Sequence, residues 1–135
     1  MNQKLTRAGL ALLGVTALSI GLSACASDTT IDYTSDAVTV SSGETLVIDF
    51  GMINSSVGDG WVITTEPDSA ILGAGTAGTK YLGEEGSTGG GNSLTYRFPA
   101  VGAGTTVIEF EYEFRGEVPD DVAEQETARI EVTVK

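Results

Sequence analysis

No histidine occurs anywhere in the 135 residues. That absence removes the commonest general base, the commonest zinc ligand and every Ser-His or Cys-His catalytic pair. Cysteine occurs once, at Cys25, so no disulfide can form within the chain. Basic residues are scarce: seven Lys and Arg stand against nineteen Asp and Glu, for a formal net charge of −12. Such a field repels phosphate backbones, so no nucleic-acid partner is expected. The carboxylates do not arrange themselves as catalytic pairs. Glu109, Glu111 and Glu113 alternate along one run and read as a solvated strand face, with nothing nearby to suggest a substrate cleft. Asp120, Asp121, Glu124 and Glu126 lack the alternating ligands and turn glycine of a calcium loop. No enzyme signature, metal site or cofactor is expected.

What is present begins at the N-terminus. Lys4 and Arg7 precede an apolar stretch from Ala8 to Leu22, too short to span a bilayer and of the length of a signal h-region. Leu22-Ser23-Ala24-Cys25 closes it and looks like a bacterial lipobox. The resemblance implies that residues 1–24 are a signal peptide and that Cys25 becomes acylated. Acyl chains on one residue suffice for stable anchoring, since each buried methylene adds about 0.8 kcal/mol. The expected location is the cell envelope, on the outer face of a bacterial membrane. Residues 25–36 are polar and read as a lipidated tether, and residues 37–135 as one domain.

Within that domain the hydrophobic period is two. Val38 and Val40 alternate with polar neighbours, as do Leu46, Ile48 and Phe50, then Trp61 and Ile63, then Leu94, Tyr96 and Phe98. The run from Thr105 to Phe114 and the run from Ala128 to Val134 repeat the pattern with charged residues on the opposite face. Tyr81 and Leu82 suggest a further short strand, and Ala70 to Leu72 one more. Six to eight strands separated by Gly, Ser, Asn and Asp predict an all-β, Ig-like antiparallel sandwich without a disulfide. Trp61 is expected in its core, and Val38–Val40 at an edge open to pairing.

Three glycine-bearing segments interrupt the strands: Asn54-Ser55-Ser56-Val57-Gly58 with Trp61 beyond it, Gly89-Gly90-Gly91-Asn92, and the stretch from Arg115 to Glu126. Their order resembles the chagasin-like inhibitors of papain-type cysteine proteases. That family carries Asn-Pro-Thr-Thr-Gly before an aromatic, then Gly-x-Gly-Gly, then Arg-Pro-Trp after a tyrosine. Asn54, Gly58 and Trp61 match the first motif, and Gly89 and Gly91 the second, with Asn92 in place of its last glycine. Phe98, Gly104 and Tyr112 fall where the following strands have their phenylalanine, glycine and tyrosine. Ser55 replaces the proline, Ser56-Val57 the paired threonines, and Phe114-Arg115-Gly116 stands at Arg-Pro-Trp. The resemblance spans about Val38 to Val134.

The resemblance implies inhibition by occlusion. Asn54 to Gly58 would enter the catalytic cleft of a papain-like cysteine protease, while Gly89 to Asn92 and Phe114 to Gly116 grip its rims. Gly58→Glu would then block insertion, and Trp61→Ala would destabilise the domain. The residues also admit plainer roles: Asn54 and Gly58 as turn formers, 87–92 as a flexible loop, Arg115 as a strand-end charge. The alternative function is a non-inhibitory Ig-like surface module that binds a protein or envelope component through the same loops.

Overall fold

The computed structural model describes residues 26–135; the stretch read as a signal peptide, the lipobox-like residues and Cys25 lie outside the described residues. Eight strands follow in order: β1 Asp28–Asp32, β2 Ala37–Val40, β3 Thr45–Ile53, β4 Asp59–Thr65, β5 Thr76–Tyr81, β6 Asn92–Pro99, β7 Gly104–Phe114 and β8 Thr127–Val134. They form two four-stranded sheets, ordered β1-β3-β6-β5 and β2-β8-β7-β4, packed as a sandwich. The alternation seen in the sequence sets which side each strand buries. Ile108 and Phe110 of β7, and Ala128, Ile130, Val132 and Val134 of β8, all point into the core. From the other sheet Leu46, Ile48, Phe50, Leu94 and Phe98 meet them.

Phe50 sits among aromatic rings from both sheets. Its ring lies 4.9 Å from Trp61, 4.9 Å from Phe110, 5.3 Å from Tyr33 and 5.7 Å from Tyr96. Trp61 is buried as expected, and the hydroxyl of Tyr96 donates to its carbonyl at 2.7 Å. Offset and edge-on ring pairs of this kind contribute about 0.5–1.5 kcal/mol beyond area burial.

The sandwich departs from the sequence reading in three places. The sheets are mixed, not wholly antiparallel: β1 pairs with β3 and β2 with β8 in parallel. Each parallel pair is possible because the chain crosses between sheets before returning. The sandwich also begins earlier than residue 37, since part of the expected tether forms β1. Its sequence, Asp-Thr-Thr-Ile-Asp, looks like a polar linker because an edge strand needs only one apolar side chain on its inner face. Here Ile31, with Tyr33 just beyond, packs against the core. Arg97 of β6 holds Asp28 through two hydrogen bonds of 2.8 and 2.7 Å. Finally, Ala70 to Leu72 forms no strand, only an isolated bridge between Leu72 and Ala100. Strand β5 ends at Tyr81, and β2 is an edge strand as anticipated.

Candidate functional site: one edge built from three loops

Topology alone brings the three segments to one end. Strands β3, β5 and β7 run toward it and β4, β6 and β8 leave it. Loop 1, residues 54–58, passes from one sheet to the other. Loop 2, residues 82–91, is a hairpin of the first sheet, and loop 3, residues 115–126, a connection within the second. Loop 1 therefore lies between the other two.

Direct bonds tie loop 1 to the start of β6, where loop 2 ends, and to loop 3. The side-chain amide of Asn92, the first residue of β6, donates to the Ser55 hydroxyl at 2.6 Å. The backbone N–H of Arg115 donates to the Gly58 carbonyl at 2.8 Å, and its Nε to the Val57 carbonyl at 3.4 Å. Loop 1 is itself a closed turn. The Asn54 carbonyl accepts from the N–H groups of Val57 and Asp59, and Gly58 N–H donates to the Ser55 carbonyl.

Asp59 clasps the base of that turn. One carboxylate oxygen accepts from Asn54 N–H at 3.1 Å and the other from the Tyr112 hydroxyl at 2.8 Å. The hydrogen bond to Asp59 pushes the Tyr112 phenol up to about 12, aided by burial and by the negative charges of Asp59, Glu124 and Glu126. The side-chain oxygen of Asn54 is buried with no partner among the described residues. Asn54 thus faces inward and shapes the loop base, while Ser55, Ser56 and Val57 are exposed.

Glycine is required at Gly58. Its φ is +109°, and a Cβ there would lie 2.5 Å from the Arg115 Cγ and 2.9 Å from its backbone N. Arg115 and Gly116 follow Phe114 with φ of +56° and +80°, and Phe114 and Glu117 exchange backbone hydrogen bonds across them. Two positive-φ residues between bridged partners make a primed hairpin turn, matching the strand twist. The Arg-Pro-Trp position therefore holds a tight turn whose Arg115 leans on loop 1. The guanidinium also lies 5.0 Å above the Phe114 ring.

Apolar side chains surround the loop tips. Val57 is 46% exposed at the tip of loop 1 and Phe114 38% exposed beside it. Met52 is 73% exposed, a position no sequence pattern marked. Its outward turn follows from a bulge: the β3–β6 register shifts between Asp49 and Met52, where Gly51 has φ of +71°. Gly91 of loop 2 sits against Met52, whose Cγ would be 2.7 Å from an added Cβ. Leu82 adds a further exposed side chain. On the loop 3 side, Asp59, Tyr112, Phe114, Pro119, Glu124 and Glu126 line an acidic cleft with aromatic walls. Asp121 caps the short 3-10 turn Val122–Glu124 by accepting from Ala123 N–H at 2.9 Å. Among the described residues, no group of three or more His, Cys, Asp or Glu is placed to hold a metal ion.

The fold and its loop edge place this chain among small β-sandwiches that present connecting loops at one pole. Solved structures of other proteins share that fold. One is the cysteine protease inhibitor EhICP2 from Entamoeba histolytica, 15% identical, with a TM-score of 0.56 over 82% of this chain and 98% of that one. Amebosin is 18% identical, with a TM-score of 0.54 over 82% and 98%. PbICP-C, solved in complex with falcipain-2, is 19% identical, with a TM-score of 0.50 over 82% and 91%. No family model matches the chain, and no curated protein matches it by sequence.

Proposed function

We propose that the chain inhibits papain-like cysteine proteases, with loop 1 as the wedge and loops 2 and 3 as its flanks. The observation that carries this reading is the bonding of loop 1 to Asn92 on one side and Arg115 on the other. Three separate connections thereby act as one edge. A partner that meets them finds loops already ordered, so little conformational entropy is lost on docking. The shared fold supports the reading, since EhICP2 is a cysteine protease inhibitor and PbICP-C was solved in complex with falcipain-2.

Inhibition would proceed without chemistry. Ser55, Ser56 and Val57 are small enough to bring the loop 1 backbone close to the walls of a narrow cleft. Val57 and Phe114 would lose water against those walls, and Met52 and Leu82 would do the same along the loop 2 side. The wedge covers the reactive cysteine of the protease and is not cleaved. Acylation of Cys25 would hold the inhibitor on the outer face of a cell envelope, as the lipobox-like Leu22-Ser23-Ala24-Cys25 suggests.

The test is titration of papain with the full chain in mild detergent, read with a fluorogenic peptide substrate. Competitive inhibition at nanomolar concentration is expected. A folded protein that leaves papain and other papain-like proteases uninhibited would make this edge the binding face of a non-inhibitory surface module.

A further inference from the structure

The chain joins the sandwich at the pole opposite the three loops. The Ser27 carbonyl accepts from Thr45 N–H at 2.9 Å, and the Ser27 hydroxyl donates to the Glu44 carboxylate at 2.8 Å. Strand β1 then starts in register with the beginning of β3, Asp28 beside Thr45. The nine residues of β3 lead from there to loop 1, a span of about 30 Å. The base also carries the turns 41–44 and 100–103 and the C-terminal Lys135, whose carbonyl accepts from Ser42 N–H at 2.8 Å. Only Ala26 separates Ser27 from Cys25. Two residues reach at most about 7 Å, so an anchor on Cys25 leaves the base almost no slack.

Charge divides along the same axis. Loop 2 carries Glu84 and Glu85, and loop 3 carries five carboxylates between Glu117 and Glu126, against the single cation Arg115. The base turns Ser41-Ser42-Gly43-Glu44 and Ala100-Val101-Gly102-Ala103 hold one carboxylate between them, Glu44, and the adjoining segment 66–72, whose Ile71 carbonyl accepts from Val101 N–H, adds Glu66 and Asp68, with Lys135 close by. The Glu44 carboxylate accepts from Ser41 N–H at 2.7 Å and from the Ser27 hydroxyl, and these bonds hold its pKa below the usual carboxylate value. Val101, at the tip of its turn, is exposed.

We infer that the acylated protein stands on the phospholipid surface upon this base, with the three-loop edge held about 30 Å away and facing the medium. This rests on the lipid-anchor reading of Cys25 and goes beyond it by fixing the orientation. The short link brings the less acidic of the two poles to the bilayer. An anionic leaflet repels the loop carboxylates and keeps the domain from lying down. The edge that meets a protease is then the part of the molecule farthest from the lipid.

The experiment uses the full acylated chain in phosphatidylcholine–phosphatidylglycerol vesicles containing a nitroxide-headgroup lipid. A fluorescent label is placed at Ser42→Cys or at Thr88→Cys, acylation of Cys25 leaving the introduced thiol as the reactive one. Several-fold stronger quenching at position 42 than at position 88 is expected. Equal or reversed quenching in protein that floats with the vesicles would overturn the orientation while leaving the anchor intact. Flotation unchanged by Cys25→Ser would overturn the anchor reading, and the orientation with it.

Discussion

Asn92 and Ser55 stand 37 positions apart in the chain, and a 2.6 Å hydrogen bond joins the side-chain amide of one to the hydroxyl of the other. It fastens the start of β6 to loop 1, on the side away from Arg115. Removing it frees loop 1 on one flank without touching the core. Asn92→Ala is expected to weaken papain inhibition by roughly fivefold, the equivalent of about 1 kcal/mol for one hydrogen bond. Inhibition constants measured beside thermal melts check this, the melting temperature moving little.

Gly58 and Gly89 make a paired test of backbone strain. Both have positive φ, +109° and +86°, yet an added Cβ meets Arg115 at Gly58 and open space at Gly89. Gly58→Ala is expected to cost on the order of 1–3 kcal/mol and to loosen loop 1, and Gly89→Ala about 1 kcal/mol. Chemical denaturation of the two variants gives the comparison. Gly58→Glu, which the sequence suggested as a clean block to insertion, would strain the loop before any protease arrived.

Trp61→Ala removes a ring packed 5.1 Å from Tyr33, 4.9 Å from Phe50 and 5.8 Å from Tyr112. The expected loss is about 3–5 kcal/mol, the usual range for a large buried aromatic. Denaturant melts measure it, and inhibition falls with the folded fraction because Asp59 of the same strand supports loop 1.

Tyr112 gives a pH signature. Its native pKa is pushed up to about 12, above the value near 10 of an unfolded chain. The stabilising effect of its protonated hydroxyl is complete below pH 10 and is lost as pH rises toward about 12. Absorbance titration at alkaline pH should show a late phenolate step that disappears in Tyr112→Phe.

Much of this architecture was legible in the residues. The alternation of Ile108 and Phe110, and of Ile130 and Val132, marks strands with one buried face, and the structure buries those side chains. Strand β1 was hidden because backbone pairing and one inner-face apolar side chain, Ile31, suffice to hold it, and they leave no hydrophobic period. The parallel pairings were hidden for a related reason, since period-two patterning marks a buried face and carries no strand direction. At the loop edge, glycine and asparagine signalled turns, but their bonds to one another depend on distant strands. Met52 left no sign, because an exposed methionine beside a bulge reads as part of an alternating strand. Asp59, directly after Gly58, was the one overlooked clasp with a local cue, since aspartate often closes turns through its side chain.

Val57 tests the central claim most directly, because it lies at the exposed tip of loop 1 and its side chain supports nothing in the core. The measurement is the papain inhibition constant of Val57→Asp against the unaltered chain, with thermal melts run in parallel. A loss of at least about tenfold with an unchanged melt is expected, from a charge carried into an apolar cleft with no partner. Unchanged inhibition by a folded Val57→Asp protein would contradict the account and move the inhibitory surface away from loop 1.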